Sequence, residues 1–170
     1  MFYSKIYLVG MPGVGKTTIG RQLAKQLNYD FVDLDEQIIA KTQKSIAEIF
    51  AEFDEDYFRK LESEVLHETK LLSNSVIATG GGLPCFFDNM NFLNQQGISI
   101  WLQMGTDLLA ERIFKGKNTR PMFKGKTVEE IVQILAEKLA QREIFYRQAR
   151  HHFEVENLHL ETIIFALSAH

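Results

Sequence analysis

The sequence predicts a three-layer α/β domain, with a five-stranded parallel sheet covered by helices on both faces. Two observations predict it. Short apolar runs of strand type alternate with segments of helical apolar spacing along the chain. The first of those runs stops at a glycine-bearing segment that opens into a helical pattern. At 170 residues and 45% hydrophobic, the chain is long enough to bury one full core, and it reads as a single domain over residues 1–170.

The elements follow in order. Ile6 to Val9 is an apolar run that ends at Gly10, and Ile19, Leu23 and Leu27 recur at helical spacing behind it. Tyr29 to Leu34 reads as the second strand. Ser45 and Glu48 have the spacing of a capping box, ahead of apolar Ile46, Ile49 and Phe50. A longer helical stretch runs from about Glu55 to Leu72. Ser75 to Thr79 is the third strand and ends at Gly80-Gly81-Gly82. Phe92 to Gln96 is helical, Ile98 to Leu102 is a strand, and Asp107 to Phe114 is helical. Lys115 to Thr127 is polar, with two glycines, a proline and four lysines. Val128 to Arg150 has helical periodicity, His152 to Val155 reads as the last strand, and Leu158 to Leu167 as the last helix.

Composition narrows the function. A net charge of -3 offers no broad basic field, so nucleic acid is not an expected partner and any bound anion must be held by a local cluster. The single cysteine, Cys85, cannot form a disulfide within the chain, which fits a reducing compartment. The N-terminus lacks a long apolar core with a cleavage site, and no apolar run approaches membrane-spanning length. These features together predict a cytoplasmic protein with no membrane partner.

Gly10-Met11-Pro12-Gly13-Val14-Gly15-Lys16-Thr17 fits G-x-x-x-x-G-K-[ST], with a strand before it and a helix after it. The glycines let the backbone N–H groups of Gly13 to Thr18 turn around phosphate oxygens, and the helix beginning near Lys16 presents its positive end to the same anion. Lys16 can reach the β and γ phosphates, and the Thr17 hydroxyl can ligate Mg²⁺. A dinucleotide loop is excluded because Thr18 stands where that motif needs Gly or Ala. No N-K-x-D guanine-reading motif is present. The motif therefore predicts ATP and Mg²⁺, and leaves the acceptor open among small-metabolite and nucleoside monophosphate kinases.

Several residues downstream bear on the acceptor. If Phe31 to Asp35 is a strand, Asp33 and Asp35 face one side; Asp35 would alternatively suit a helix N-cap. Arg59 and Glu62 stand three apart on a helix, as a surface pair would or as a positioned clamp would. Gly80 to Gly82 are three residues free to adopt positive φ, in a tight turn or in close backbone approach to a ligand. Lys115 to Thr127 reads as a mobile lid, since a transferred phosphoryl group must be shielded from water. His67-Glu68 begins like a zinc-protease motif, but Leu71 stands in place of the second His. His151, His152 and His159 have no partners at metal spacing.

Six segments carry a resemblance to a known family. They are Asp33-Leu34-Asp35, Ser45-Ile46-Ala47-Glu48-Ile49-Phe50, Phe58-Arg59-Lys60-Leu61-Glu62, Gly80-Gly81-Gly82, Arg120-Pro121 and Arg142-Glu143-Ile144-Phe145-Tyr146-Arg147. With the phosphate loop, and in that order, they make the chain resemble the shikimate kinases from residue 10 to about 150. The resemblance implies transfer of the γ-phosphoryl of ATP to the 3-hydroxyl of shikimate, a step toward chorismate and the aromatic amino acids, by a monomer with a P-loop kinase fold. It implies that Asp33 holds Mg²⁺ through water and that Asp35 takes the substrate hydroxyl and acts as base. Arg59 and Arg142 would clamp the substrate carboxylate, with Glu62 holding Arg59 and Gly80, Gly81 and Gly82 contacting substrate. Arg120 would swing from the lid over the phosphates, Arg112 would lie along the adenine, Phe50 and Phe58 would wall the pocket, and residues of about 35–62 would form the substrate-binding segment. The alternatives are gluconate kinase, a nucleoside monophosphate kinase, or a regulatory module that only binds nucleotide. Two departures stand out: Asp54 occupies a position where the family usually has Gly, and Ile144-Phe145 one where it often has Pro-Leu.

Overall fold

A computed structural model of the chain describes residues 3–116 and 121–168. Five strands, β1 (Lys5–Val9), β2 (Asp30–Asp33), β3 (Ser75–Ala78), β4 (Ile98–Gln103) and β5 (His151–Glu154), form one sheet in the order β2-β3-β1-β4-β5. Every pairing is parallel. The helices are α1 (Lys16–Leu27), α2 (Leu34–Thr42), α3 (Ile46–Glu52), α4 (Glu55–Glu68), α5 (Asn89–Gln96), α6 (Thr106–Lys115), α7 (Val128–Tyr146) and α8 (Leu160–Ser168). The expected α/β architecture is present. No described helix is long and apolar enough to cross a membrane.

Parallel strands covered on both faces need apolar residues throughout, and β1, β3 and most of β4 are buried along their whole length. The central strand β1 therefore delivers its following loop to the middle of the sheet's carboxyl edge. Register sets what that loop meets. Leu8 pairs with Ala78, and Ala78 with Asp33. Two residues beyond that row stand Gly10 and Gly80, while the chain beyond Asp33 has already turned into α2. Thr79 ties two of these ends together, its hydroxyl donating to the Leu8 carbonyl at 3.0 Å.

The second strand ends earlier than its sequence pattern predicts. Asp33 is the N-cap of α2, its carboxylate accepting from the Asp35 N–H at 3.0 Å. Asp35 thus sits in the first turn of α2, not on the strand, and the cap expected of Asp35 is supplied by Asp33. Cap competition decides this: a carboxylate at the strand end satisfies an orphan helix N–H and turns the chain two residues early. The last long helix also stops short, at Tyr146, and the turn after it feeds β5.

The capping box of α3 forms as predicted, with Ser45 and Glu48 each accepting from the other's backbone N–H. A second box, Thr127 with Glu130, opens α7. In the stretch read as a lid, residues Lys117 to Arg120 lie outside the described residues, while Phe123 behind them is buried at 1% exposure and anchors the segment to the core.

Asp54 has a local explanation. It is the N-cap of α4, accepting from the Tyr57 N–H at 2.8 Å, with φ of -79°, so no left-handed backbone calls for glycine there. Asp54→Ala should lower unfolding free energy by about 1 kcal/mol in urea denaturation, whereas Asp54→Gly should cost only a few tenths. An alanine variant as stable as the wild type would remove the cap from the account.

Candidate functional site

The loop after β1 folds as a phosphate cradle. Gly15 has φ of 108°, a conformation that side chains resist, and from it α1 starts directly at Lys16. The Lys16 ammonium donates to the carbonyls of Gly10 at 2.7 Å and Met11 at 2.9 Å, so it arches back across the loop. The Val14 side chain is buried, while Thr17 and Thr18 stand exposed on the first turn of α1. Arg112, from α6, donates to the Val14 carbonyl at 3.2 Å and so lies against the loop. The Thr17 hydroxyl donates to Asp33 at 2.8 Å. One carboxylate thereby caps α2 and faces the hydroxyl of the loop.

A second cluster gathers around Gly80 to Gly82. A Cβ on Gly80 would lie 2.6 Å from Glu62 Oε1 and 3.1 Å from Asp35 Oδ1. One on Gly81 would lie 3.0 Å from Pro12 Cδ and 3.1 Å from Arg142 Nη1, and one on Gly82 would lie 2.5 Å from Arg59 Nη1. Side chains from α2, α4 and α7 thus converge on three successive glycines, and Pro12 joins the phosphate loop to them. The reason for glycine differs from the one expected. None of the three has positive φ, and Gly82 is at -88°. A Cβ would crowd charged side chains at Gly80 and Gly82, and Pro12 with Arg142 at Gly81.

The charges in this cluster are unevenly satisfied. Arg59 is 9% exposed and fully engaged, with Nη1 donating to Glu62 at 2.7 Å and Nη2 and Nε to Glu55 at 2.9 and 3.1 Å. Its guanidinium stands 4.5 Å from the Phe86 ring centroid and 5.4 Å from that of Phe58. Arg142 is different. Its Nη1 is buried and has no hydrogen-bond partner among the described residues. Such an orphaned charged donor is costly unless something arrives to accept from it. Tyr146, one turn along α7 from Arg142, is fully buried and donates to the Gly81 carbonyl, fixing that glycine against the helix.

Burial shapes the acids of the site. Glu62, 2% exposed, is pushed up to about 7 by desolvation, against the pull of Arg59 and with the Asp35 charge adding to the rise. Burial also pushes the Cys85 thiol up to about 11, against the pull of Arg142 and Arg59. The Tyr146 phenol is raised far above its ordinary range for the same reason.

The predicted residues therefore fall into two touching groups. Gly13 to Thr18, Asp33 and Arg112 form the loop group. Asp35, Arg59, Gly80, Gly81, Gly82 and Arg142 form the acceptor group. Arg120 lies outside the described residues. The sequence reading missed Glu55, Pro12 and Phe86 and assigned no task to Tyr146. The signals were there for two of them: Glu55 stands four before Arg59 and Tyr146 four after Arg142. Phe50 and Phe58 do pack together, with centroids 4.5 Å apart, beside Arg59.

Comparison with known proteins identifies the family. The family model for shikimate kinase matches residues 12–167. The chain belongs to the shikimate kinase family. It is 41% identical over 164 residues to the shikimate kinase of Parabacteroides distasonis, covering 96% of this chain and 95% of that one. The crystal structure of shikimate kinase from Bacteroides thetaiotaomicron superposes with a TM-score of 0.91 at 38% identity, over 97% of this chain and 96% of that one. The shikimate kinase of Acinetobacter baumannii in complex with shikimate does so with a TM-score of 0.85 at 35% identity, over 98% and 96% of the two chains.

The position of Glu62 carries a pH signature. A carboxyl raised from 4.5 to about 7 favours its protonated form in the folded state. That stabilisation is complete below the unfolded value and is lost as pH rises through the folded one. Thermal stability of this shikimate kinase family member should therefore fall between about pH 5 and about pH 8, and Glu62→Gln should flatten that slope. An unchanged slope in the glutamine variant would place the titration elsewhere.

Proposed function

We propose that this chain transfers the γ-phosphoryl of ATP to the 3-hydroxyl of shikimate, giving shikimate 3-phosphate and ADP. The observation that carries the reading is the buried Nη1 of Arg142, without a partner among the described residues and 3.1 Å from the Cβ position of Gly81. A carboxylate bound there supplies the missing acceptor, and shikimate carries its carboxylate on the ring whose hydroxyl reacts. Arg59, held rigid by Glu55 and Glu62, offers a flat cation at the other side of the same glycines. Asp35, at Gly80, then faces the hydroxyl, orienting it and taking its proton as the bond to phosphorus forms.

On the nucleotide side, Lys16 leaves its loop carbonyls for the β and γ phosphates, and the N–H groups of Gly13, Val14, Gly15, Lys16, Thr17 and Thr18 cradle the phosphate chain. Arg112 stands beside that cradle and borders the adenine. Thr17 and Asp33 would hold Mg²⁺, the latter through water; their paired hard oxygens fit that ion, and it would neutralise phosphate charge. We assign Arg120 and residues 115–127 to a lid that closes over the phosphates and excludes water. Residues 1–170 act as one kinase domain and as a monomer, in the cytoplasm, on a step toward chorismate and the aromatic amino acids.

An ADP-release assay over shikimate, gluconate and nucleoside monophosphates tests the reading. Shikimate should be the strongly preferred acceptor, and Asp35→Asn should cut kcat with it by about 100-fold or more while leaving ATP affinity near normal. Preference for gluconate or a nucleoside monophosphate would overturn the assignment.

A further inference from the structure

A third cation feels the charges of the acceptor cluster. Lys138 stands on α7 one turn before Arg142, so the two share a face of the helix. It is half-buried, and its ammonium lies within electrostatic reach of Arg142 on its own helix and of Glu55 and Arg59 on α4. Charge accounting gives it a task. Both charges that could approach Arg59 closely, Glu55 and Glu62, already do so. The field left to attract an incoming anion therefore comes chiefly from Arg142, and it needs support from the same helix face.

We infer that Lys138 is a specificity-determining residue of the acceptor site, adding its positive charge to that of Arg142 to hold the substrate carboxylate. This inference rests on the reading of the acceptor as shikimate. Lys138 also feels the Glu55 carboxylate, so the ammonium offsets a charge that would otherwise repel the incoming anion. Desolvation, with Arg142 and Arg59 adding to it and Glu55 opposing, holds Lys138 below the ordinary lysine range. Its charge is therefore lost as pH rises, before that of an exposed lysine would be.

Steady-state kinetics on Lys138→Met and Lys138→Arg test this, with shikimate and its methyl ester as acceptors. In the wild type, KM for shikimate should climb as pH is raised toward the ordinary lysine range, and the climb should begin before an exposed lysine would lose its charge. Lys138→Met should raise that KM about tenfold at pH 7.5, the scale of a partly desolvated charge pair, with the loss on KM rather than on kcat. It should also abolish the alkaline climb and leave KM for the uncharged ester unchanged. Lys138→Arg should keep a low KM that no longer depends on pH in this range. A methionine variant with the wild-type KM and the same alkaline climb would overturn the inference while leaving the acceptor assignment standing. Equal losses on acid and ester would overturn it too, since they would mark a packing role. A wild type that does not phosphorylate shikimate would sink both readings.

Discussion

Four charged side chains from three helices can share one cleft here only because the strand end between them carries no Cβ atoms. Asp35 from α2, Arg59 and Glu62 from α4, and Arg142 from α7 all approach Gly80 to Gly82 so closely that a Cβ there would crowd them. The in-register pairing of β1, β2 and β3 brings this bare segment level with the phosphate loop and with the start of α2. Acceptor and donor groups are thus aligned by the sheet, and the distances between them follow from where parallel strands stop.

Within that frame the charges are arranged asymmetrically. Arg59 is clasped by two carboxylates, stacked on Phe86 and buried, so it behaves as a fixed wall. Arg142 retains a buried donor with no acceptor among the described residues. Two equivalent arginines would repel each other across so small a space. Neutralising one, and leaving one donor of the other without an acceptor, eases that repulsion while keeping a preference for an anion. Glu62, raised to about 7, sits between the clasped arginine and Asp35 and so couples the two halves of the acceptor site.

Much of this was legible in the chain itself. Alternating patterns and the glycine motif give all five strands and the cradle, because apolar period and turn chemistry are local properties. The capping box at Ser45 was readable for the same reason. The boundary at Asp33 was not, since two acids spaced two apart fit a strand as well as a cap, and only the competition for an orphan N–H decides between them. The motif Gly80-Gly81-Gly82 was rightly singled out, yet for a reason of backbone freedom that the structure replaces with one of space. Phe86 was missed because its importance comes from Arg59 folding onto it, which depends on the burial of α4 rather than on local pattern, whereas Glu55 was readable four residues before Arg59.

The central claim is that Arg142 Nη1 is left without an acceptor among the described residues so that a substrate carboxylate can complete it. A crystal structure of the protein with shikimate and ADP tests this most directly. The account predicts that the carboxylate lies within hydrogen-bond distance of Arg142 Nη1, with the 3-hydroxyl turned to Asp35 and the Glu55–Arg59–Glu62 cluster unmoved. A carboxylate bound elsewhere, with Arg142 Nη1 still lacking a partner, would contradict it.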